Sequence, residues 1–234
     1  MMSGGSLVDN VHELMLAEFR AVPFHNLFYL GLCEPDVLLP NGSGTCSDKV
    51  LAFRQRLLAE GIPARLHHAM INGQICHRVL ALELDGARYF ADVGNGWPSV
   101  QLFPADREVS YVAYGIEFSS VLNGEWLDIY HNKHERKTLS VRIPLVLPDE
   151  RQVLQQIKDR FDGRTAYPFT DGFRFAQVRG DQFLFLKRNT LRVYQSDHAL
   201  VTVDLPDRQA QLLALETYFG VSGLERCFLP ECDG

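Results

Sequence analysis

Three residues between positions 42 and 97 have the types that covalent catalysis needs: Cys46, His77 and Asp92. Cys46 follows the turn Gly42-Ser43-Gly44-Thr45 and opens the run CSDKVLAFRQRLLAEGI, whose apolar residues recur at helical spacing. With Thr45 or Gly44 as helix cap, the sulfur would lie beside unpaired backbone donors and the positive end of the helix dipole, which favours thiolate. A neighbouring imidazole would lower the thiol pKa further and act as base, and a carboxylate would orient it. Taken singly, a cysteine is more often a small packing residue and a strand histidine a satisfied structural group. Their conjunction is what points to a nucleophile, a base and an orienter.

The elements that must position them follow from turn chemistry. Asp85-Gly86 suits a two-residue primed turn. It would pair Leu84 with Ala87, Leu80 with Ala91, Val79 with Asp92 and His77 with Gly94. Because strand side chains alternate faces, His77 and Asp92 then become diagonal neighbours on one face, roughly 7 to 8 Å apart between backbones. A second turn at Asn72-Gly73 would pair Ile71 with Gln74 and set His68 opposite His77. His68 could then support the triad, contact substrate or cap a sheet edge. The set His68, His77, Asp92 and Cys46 also has acceptable zinc-donor chemistry, although its spacing matches no zinc motif and no metal is expected. The thiol pair in CFLPEC, 227–232, has no partner histidines and is taken as ordinary tail.

The whole chain limits the alternatives. Its 234 residues, 46% apolar and 22% charged, suffice for one large globular unit or two small packed ones. The net charge of -6 is scattered and no basic stripe is visible along the sequence, so nucleic acid is not an expected partner. No segment has a leader pattern or membrane-spanning length, and the five cysteines are odd in number and irregularly spaced. A cytoplasmic protein with reduced thiols and no membrane association is expected.

Three zones differ in periodicity. VDNVHELMLAEFRAV and the Cys46 run are helical, the latter stopped by Gly61 and Pro63. From Ala64 to about Leu147, short runs of Val, Leu, Ile and aromatics are punctuated by NG, DG, GNGWP and NGE turns and predict antiparallel sheet. The third zone predicts a helix over PDERQVLQQIKDRF, strands over FRFAQVR, QFLFLKR, LRVYQS and ALVTVDL, then a helix over PDRQAQLLALETYFG, making an α+β layer of its own. Domains at 1–63, 64–147 and 148–234 are expected, in an α+β fold.

VPFHNL at 22–27, the cysteine at the glycine-rich helix start, CHRVLALELDGARYFADVGNG at 76–96 and YPFTDGFRFAQVRGDQFLFLKRNTLRV at 167–193 resemble the arylamine N-acetyltransferases, in the same order from about residue 12 to residue 220. These are cysteine acyltransferases that use acetyl-coenzyme A. The resemblance implies an N-terminal helical bundle, an antiparallel β-barrel and a C-terminal α/β lid around a cysteine-protease-like core. It also implies Cys46 as acyl-accepting nucleophile, His77 as base and Asp92 as orienter.

The sequence departs from the family where Arg-Gly-Gly-aromatic-Cys-Phe-Glu becomes Gly42-Ser43-Gly44-Thr45-Cys46-Ser47-Asp48. Pro-Phe-Glu-Asn-Leu becomes Pro23-Phe24-His25-Asn26-Leu27, and Asp-Val-Gly-Phe-Gly acquires Asn95. Thr45, Ser47 and Asn95 in place of flat apolar walls predict a roomier, more polar pocket that disfavours a plain aromatic amine. Substrate contacts are expected from Thr45, Ser47, Asn95, Phe24 and His68. The expected activity is acyl transfer from acetyl-coenzyme A or another acyl-coenzyme A, a co-substrate rather than a resident cofactor, to a small-molecule amine or other nucleophile. A carrier-protein-bound donor, an amide synthase working on a polyketide or peptide thioester, and a non-catalytic binding protein on the same scaffold are the alternatives. Backbone donors near Cys46 and Ile75 or Cys76 are expected to hold the oxyanion.

Overall fold

A computed structural model describes residues 6–32, 42–133, 136–163 and 167–224; the CFLPEC tail lies outside them. Helix α1 (Leu7–Ala21) begins at Ser6. The Ser6 hydroxyl accepts the Asp9 N–H while the Asp9 carboxylate accepts the Ser6 N–H, so two open donors of the first turn are covered reciprocally. Val11, Met15 and Phe19 form its buried face. After strand β1 (Phe24–His25) and a 3₁₀ turn at Leu27–Leu30 comes helix α2 (Cys46–Ala59). Gly61, at φ +73°, terminates it in the left-handed conformation that glycine adopts without strain. The Gly61 N–H bonds Leu58 and the Ile62 N–H bonds Leu57, closing the last turn where the sequence predicts it to end.

The second zone folds into eight antiparallel strands: β2 (Ala64–Ile71), β3 (Gln74–Leu84), β4 (Ala87–Ala91), β5 (Phe103–Pro104), β6 (Ser110–Ala113), β7 (Ile116–Asn123), β8 (Trp126–Lys133) and β9 (Arg136–Pro144). Their order is β5-β4-β3-β2-β9-β8-β7-β6. The sheet curls into a half-barrel, bringing Phe103 and Tyr111 of its two edge strands within 5.9 Å, ring to ring. The barrel of the sequence analysis is this curled sheet.

The third zone supplies helix α3 (Glu150–Lys158), strands β10 (Arg174–Arg179), β11 (Gln182–Lys187), β12 (Thr190–Gln195) and β13 (Leu200–Asp204), and helix α4 (Arg208–Ala214), which continues as a π-helical turn over Leu215–Phe219. The four predicted strands are present and form one meander, with β1 added at its β10 edge. Period-two alternation gives this sheet two apolar faces. Phe175, Leu184, Leu186 and Leu191 pack with Ala214 and Phe219, while Ala176, Val178, Phe183 and Phe185 face the main core. Helix α3 differs from expectation in its packing partner: Val153 and Ile157 bury into the main core against β2, not against the C-terminal strands. Among the described residues no helix is long and apolar enough to cross a membrane.

The two predicted turns form, with Asn72, Gly73, Asp85 and Gly86 all at positive φ. Leu84 pairs with Ala87, Leu80 with Ala91 and Ile71 with Gln74, as the turns require. Two expectations fail. The β3–β4 ladder stops at Leu80–Ala91, where β4 ends, so it does not extend to the expected pairs Val79–Asp92 and His77–Gly94. Met70 pairs with Ile75 but Ala69 pairs with His77, so Cys76 is an extra residue in β3, a β-bulge. His68 therefore faces Arg78, and His77 faces the small Ala69.

Candidate active site

The site forms where the head of α2 meets the first part of β3 and the chain leaving β4. Thr45 caps α2. The Asp48 carboxylate accepts the Thr45 N–H at 3.0 Å and its hydroxyl at 3.3 Å, and Arg160 holds the other Asp48 oxygen at 2.7 Å. Cys46 is thereby fixed at the first helical position, 4% exposed. Its thiol points to the carbonyl of the bulge residue Cys76, 3.9 Å away.

His77 and Asp92 are buried at 2% and 0% exposure, and His77 Nε2 lies 2.8 Å from Asp92 Oδ1. This contact leaves Nδ1 for the sulfur. Burial opposes ionisation of Cys46, but hydrogen bonding to His77 and the positive charges of His77 and Arg78 outweigh it, so the thiol pKa falls below its ordinary value. Burial likewise opposes charge on His77, and Asp92, with help from Cys46, overcomes it and raises the imidazole to about 10. Both shifts favour a thiolate–imidazolium pair at neutral pH. Arg78, itself 2% exposed, donates to the His77 carbonyl at 2.7 Å and fixes that part of β3. Sequence reasoning did not single it out.

A cavity of about 110 Å³ opens over the sulfur. Phe24 and Asn95 line it, as expected, and the Asn95 amide donates to Ser140 Oγ of β9 at 3.1 Å. The other walls are Trp97, Tyr167, Phe169 and Phe185, with Arg174 at the rim. Thr45, Ser47 and His68 do not line it: Thr45 is spent on the cap, Ser47 is buried in the first turn of α2, and His68 lies on the other face of β2. The expected roomier, polar pocket is thus a narrow one with aromatic walls. Its aromatic walls come from β1, from the chain after Asn95, from 167–169 and from β11. The signal for those outside strands was present, since aromatics flanked by Gly and Pro in GNGWP and YPF have no regular element in which to pack. The zinc arrangement required His68 beside His77, and the bulge separates them. Among the described residues no three His, Cys, Asp or Glu side chains gather as a metal site.

His25, where the resemblance expects glutamate, is a buried neutral side chain. Its Nδ1 accepts the Leu27 N–H and its Nε2 lies 3.2 Å from Ser43 Oγ, bracing the turn before α2 from behind. Burial, and then the charge of Lys49, lower its pKa to about 3.

The sequence matches no family model and no curated protein. The fold does have counterparts among solved structures. The arylamine N-acetyltransferase of Nocardia farcinica superposes with a TM-score of 0.80 at 15% identity, over 98% of this chain and 90% of that one. The enzyme of Mycobacterium marinum, solved in complex with CoA, gives 0.77 at 19% over 96% and 93%. That of Salmonella typhimurium gives 0.72 at 20% over 94% and 87%. The chain therefore has the fold of the arylamine N-acetyltransferases, carried by a sequence only 15% to 20% identical to these three structures.

Proposed function

We propose that the chain is a cysteine-dependent acyltransferase that moves an acyl group from a thioester, such as acetyl-coenzyme A, to an amine. The observation that carries this is the buried Cys46 thiol in electrostatic contact with an imidazole whose other nitrogen is held at 2.8 Å by Asp92. A packing cysteine has no need of such a partner.

The Cys46 thiolate attacks the thioester carbonyl, and first-turn N–H groups of α2 receive the developing oxyanion. The carbonyl re-forms, the donor's thiolate leaves, and the His77 imidazolium gives it a proton, so that Cys46 is acylated and His77 neutral. An amine then adds to the acyl carbonyl while His77 takes its proton. Collapse expels the Cys46 thiolate, releases the amide and restores the ion pair. Asp92 keeps Nε2 engaged throughout and stabilises the imidazolium.

The walls bear on the acceptor. Phe24 and Phe169 meet edge to face at 5.9 Å, and Trp97 stacks on Phe185 at 4.4 Å, so the space over the sulfur is a slot between rings. Such a slot suits a flat, apolar amine. Initial rates with aromatic and aliphatic amines of matched basicity test this. Parallel double-reciprocal lines with faster aromatic acceptors support the proposal, whereas intersecting lines or no turnover with any amine argue against it.

A further inference from the structure

Beyond the slot, and sharing Trp97, Arg174 and Phe185 with it, lies a second cavity of about 570 Å³. Five cations converge on it, one from each of five strands: Lys133 of β8, Arg136 of β9, Arg174 of β10, Lys187 of β11 and Arg192 of β12. No acidic side chain lines it among the described residues, and none of the five forms an ion pair there. This concentration occurs in a chain whose net charge is -6.

The sheet registers make it costly. Lys133 stands directly opposite Arg136, and Arg174 directly opposite Lys187. Like charges at facing positions destabilise a sheet. Lys133 is also pressed over the Trp97 ring at 3.3 Å. Burial, followed by the charges of Arg192, Lys187 and Arg136, lowers its pKa to about 7. Arg174 Nε is buried without a hydrogen-bond partner. Two repelling pairs, a desolvated ammonium and an orphaned guanidinium nitrogen are all relieved by one kind of guest, a group with several negative oxygens.

We propose that this cleft binds the phosphate-bearing end of the thioester donor, with Trp97 marking the passage from the cationic cleft to the Cys46 cavity. The inference rests on the acyl-transfer proposal for the donor's identity, while the anion site itself can be tested without turnover. The walls that the two cavities share, Trp97, Arg174 and Phe185, assign the phosphate to the molecule whose acyl group reaches the sulfur, rather than to a free anion or the acceptor.

Two measurements on the full chain are paired. Calorimetric binding of pyrophosphate and of adenosine 3′,5′-bisphosphate is followed in the unmodified chain, in Cys46→Ala and in Lys133→Gln/Arg192→Gln. Acylation of Cys46 is timed with acetyl-coenzyme A and with acetyl-N-acetylcysteamine, which carries no phosphate. Both anions are expected to bind the first two proteins and to bind the double variant at least about tenfold more weakly. The double variant should be acylated about tenfold or more slowly by acetyl-coenzyme A and at an unchanged rate by acetyl-N-acetylcysteamine, which also shows that its active site is intact. Absence of anion binding, or equal losses with both thioesters, would overturn the proposal. Anion binding that the double substitution removes, in a protein that neither thioester acylates, would sustain the cleft and defeat acyl transfer.

Discussion

Gly94 passes so close to Cys46 that a Cβ on it would lie 2.6 Å from the cysteine Cα and 2.7 Å from its Cβ. The chain leaving β4 thereby docks on the head of α2 and sets the depth at which the sulfur meets His77. Gly94 is not at positive φ, so alanine fits its backbone conformation and the conflict is purely steric. Gly94→Ala should lower kcat/KM about 100-fold, the loss expected when a reacting group moves by roughly 1 Å. Acylation rate and circular dichroism, measured together, check this: a folded variant with full activity would contradict the geometry.

The charge state of the pair gives a pH signature. Because the Cys46 pKa is lowered and that of His77 raised, the thiolate–imidazolium form is favoured over the neutral pair. Iodoacetamide alkylation of Cys46 should therefore persist to lower pH than that of an ordinary thiol, falling only as the sulfur is protonated. In His77→Gln the hydrogen bond and charge that lower the thiol pKa are gone and burial remains. With Arg78 still opposing burial, the alkylation profile should move to higher pH than in the unmodified chain, and an unchanged profile would show that the imidazole does not govern the sulfur.

Asp92→Asn removes the charge that holds His77 protonated. The expected result is a fall in kcat/KM of about 10²- to 10⁴-fold, as in triads whose orienting carboxylate is neutralised. The alkaline limb of the rate profile should also move from near 10 toward the ordinary imidazole range, since deprotonation of His77 ends the ion pair earlier. Rates and their pH dependence are read on the same preparations.

Much of this site was legible because local chemistry specified it. Asp85-Gly86 fixed the β3–β4 register, and the Gly44-Thr45-Cys46-Ser47-Asp48 run contained both the cap and its acceptor. The bulge at Cys76 was not legible. Asn72-Gly73 determines the pairing of its nearest neighbours, whereas an extra residue farther along depends on how β3 must bend to carry His77 toward α2. The aromatic slot and the cationic cleft escaped for a related reason. Their residues come from separate strands and loops, so no window of sequence contains enough of either to show a pattern.

Three buried neutral histidines set the acid stability. His25, His67 and His131 have folded pKa values of about 3, 4 and 4, lowered chiefly by burial. Their unfolded pKa is near 6.5, so between that value and the folded ones the unfolded chain binds more protons and stability is lost as the pH falls. Denaturant midpoints should thus decline steadily from pH 7 to pH 5, before most carboxylates titrate. His67→Gln should make that decline shallower by about one proton's contribution, ~1.4 kcal/mol per pH unit. An unaltered slope would mean that His67 is not neutral in the fold.

The central claim is that the Cys46 sulfur carries the acyl group, and intact-mass measurement after brief exposure to acetyl-coenzyme A, without acceptor, tests it most directly. The account predicts a mass gain of one acetyl group that maps to Cys46, disappears on addition of an amine and never forms in Cys46→Ala. An unmodified protein, or an adduct that persists in Cys46→Ala, would contradict it.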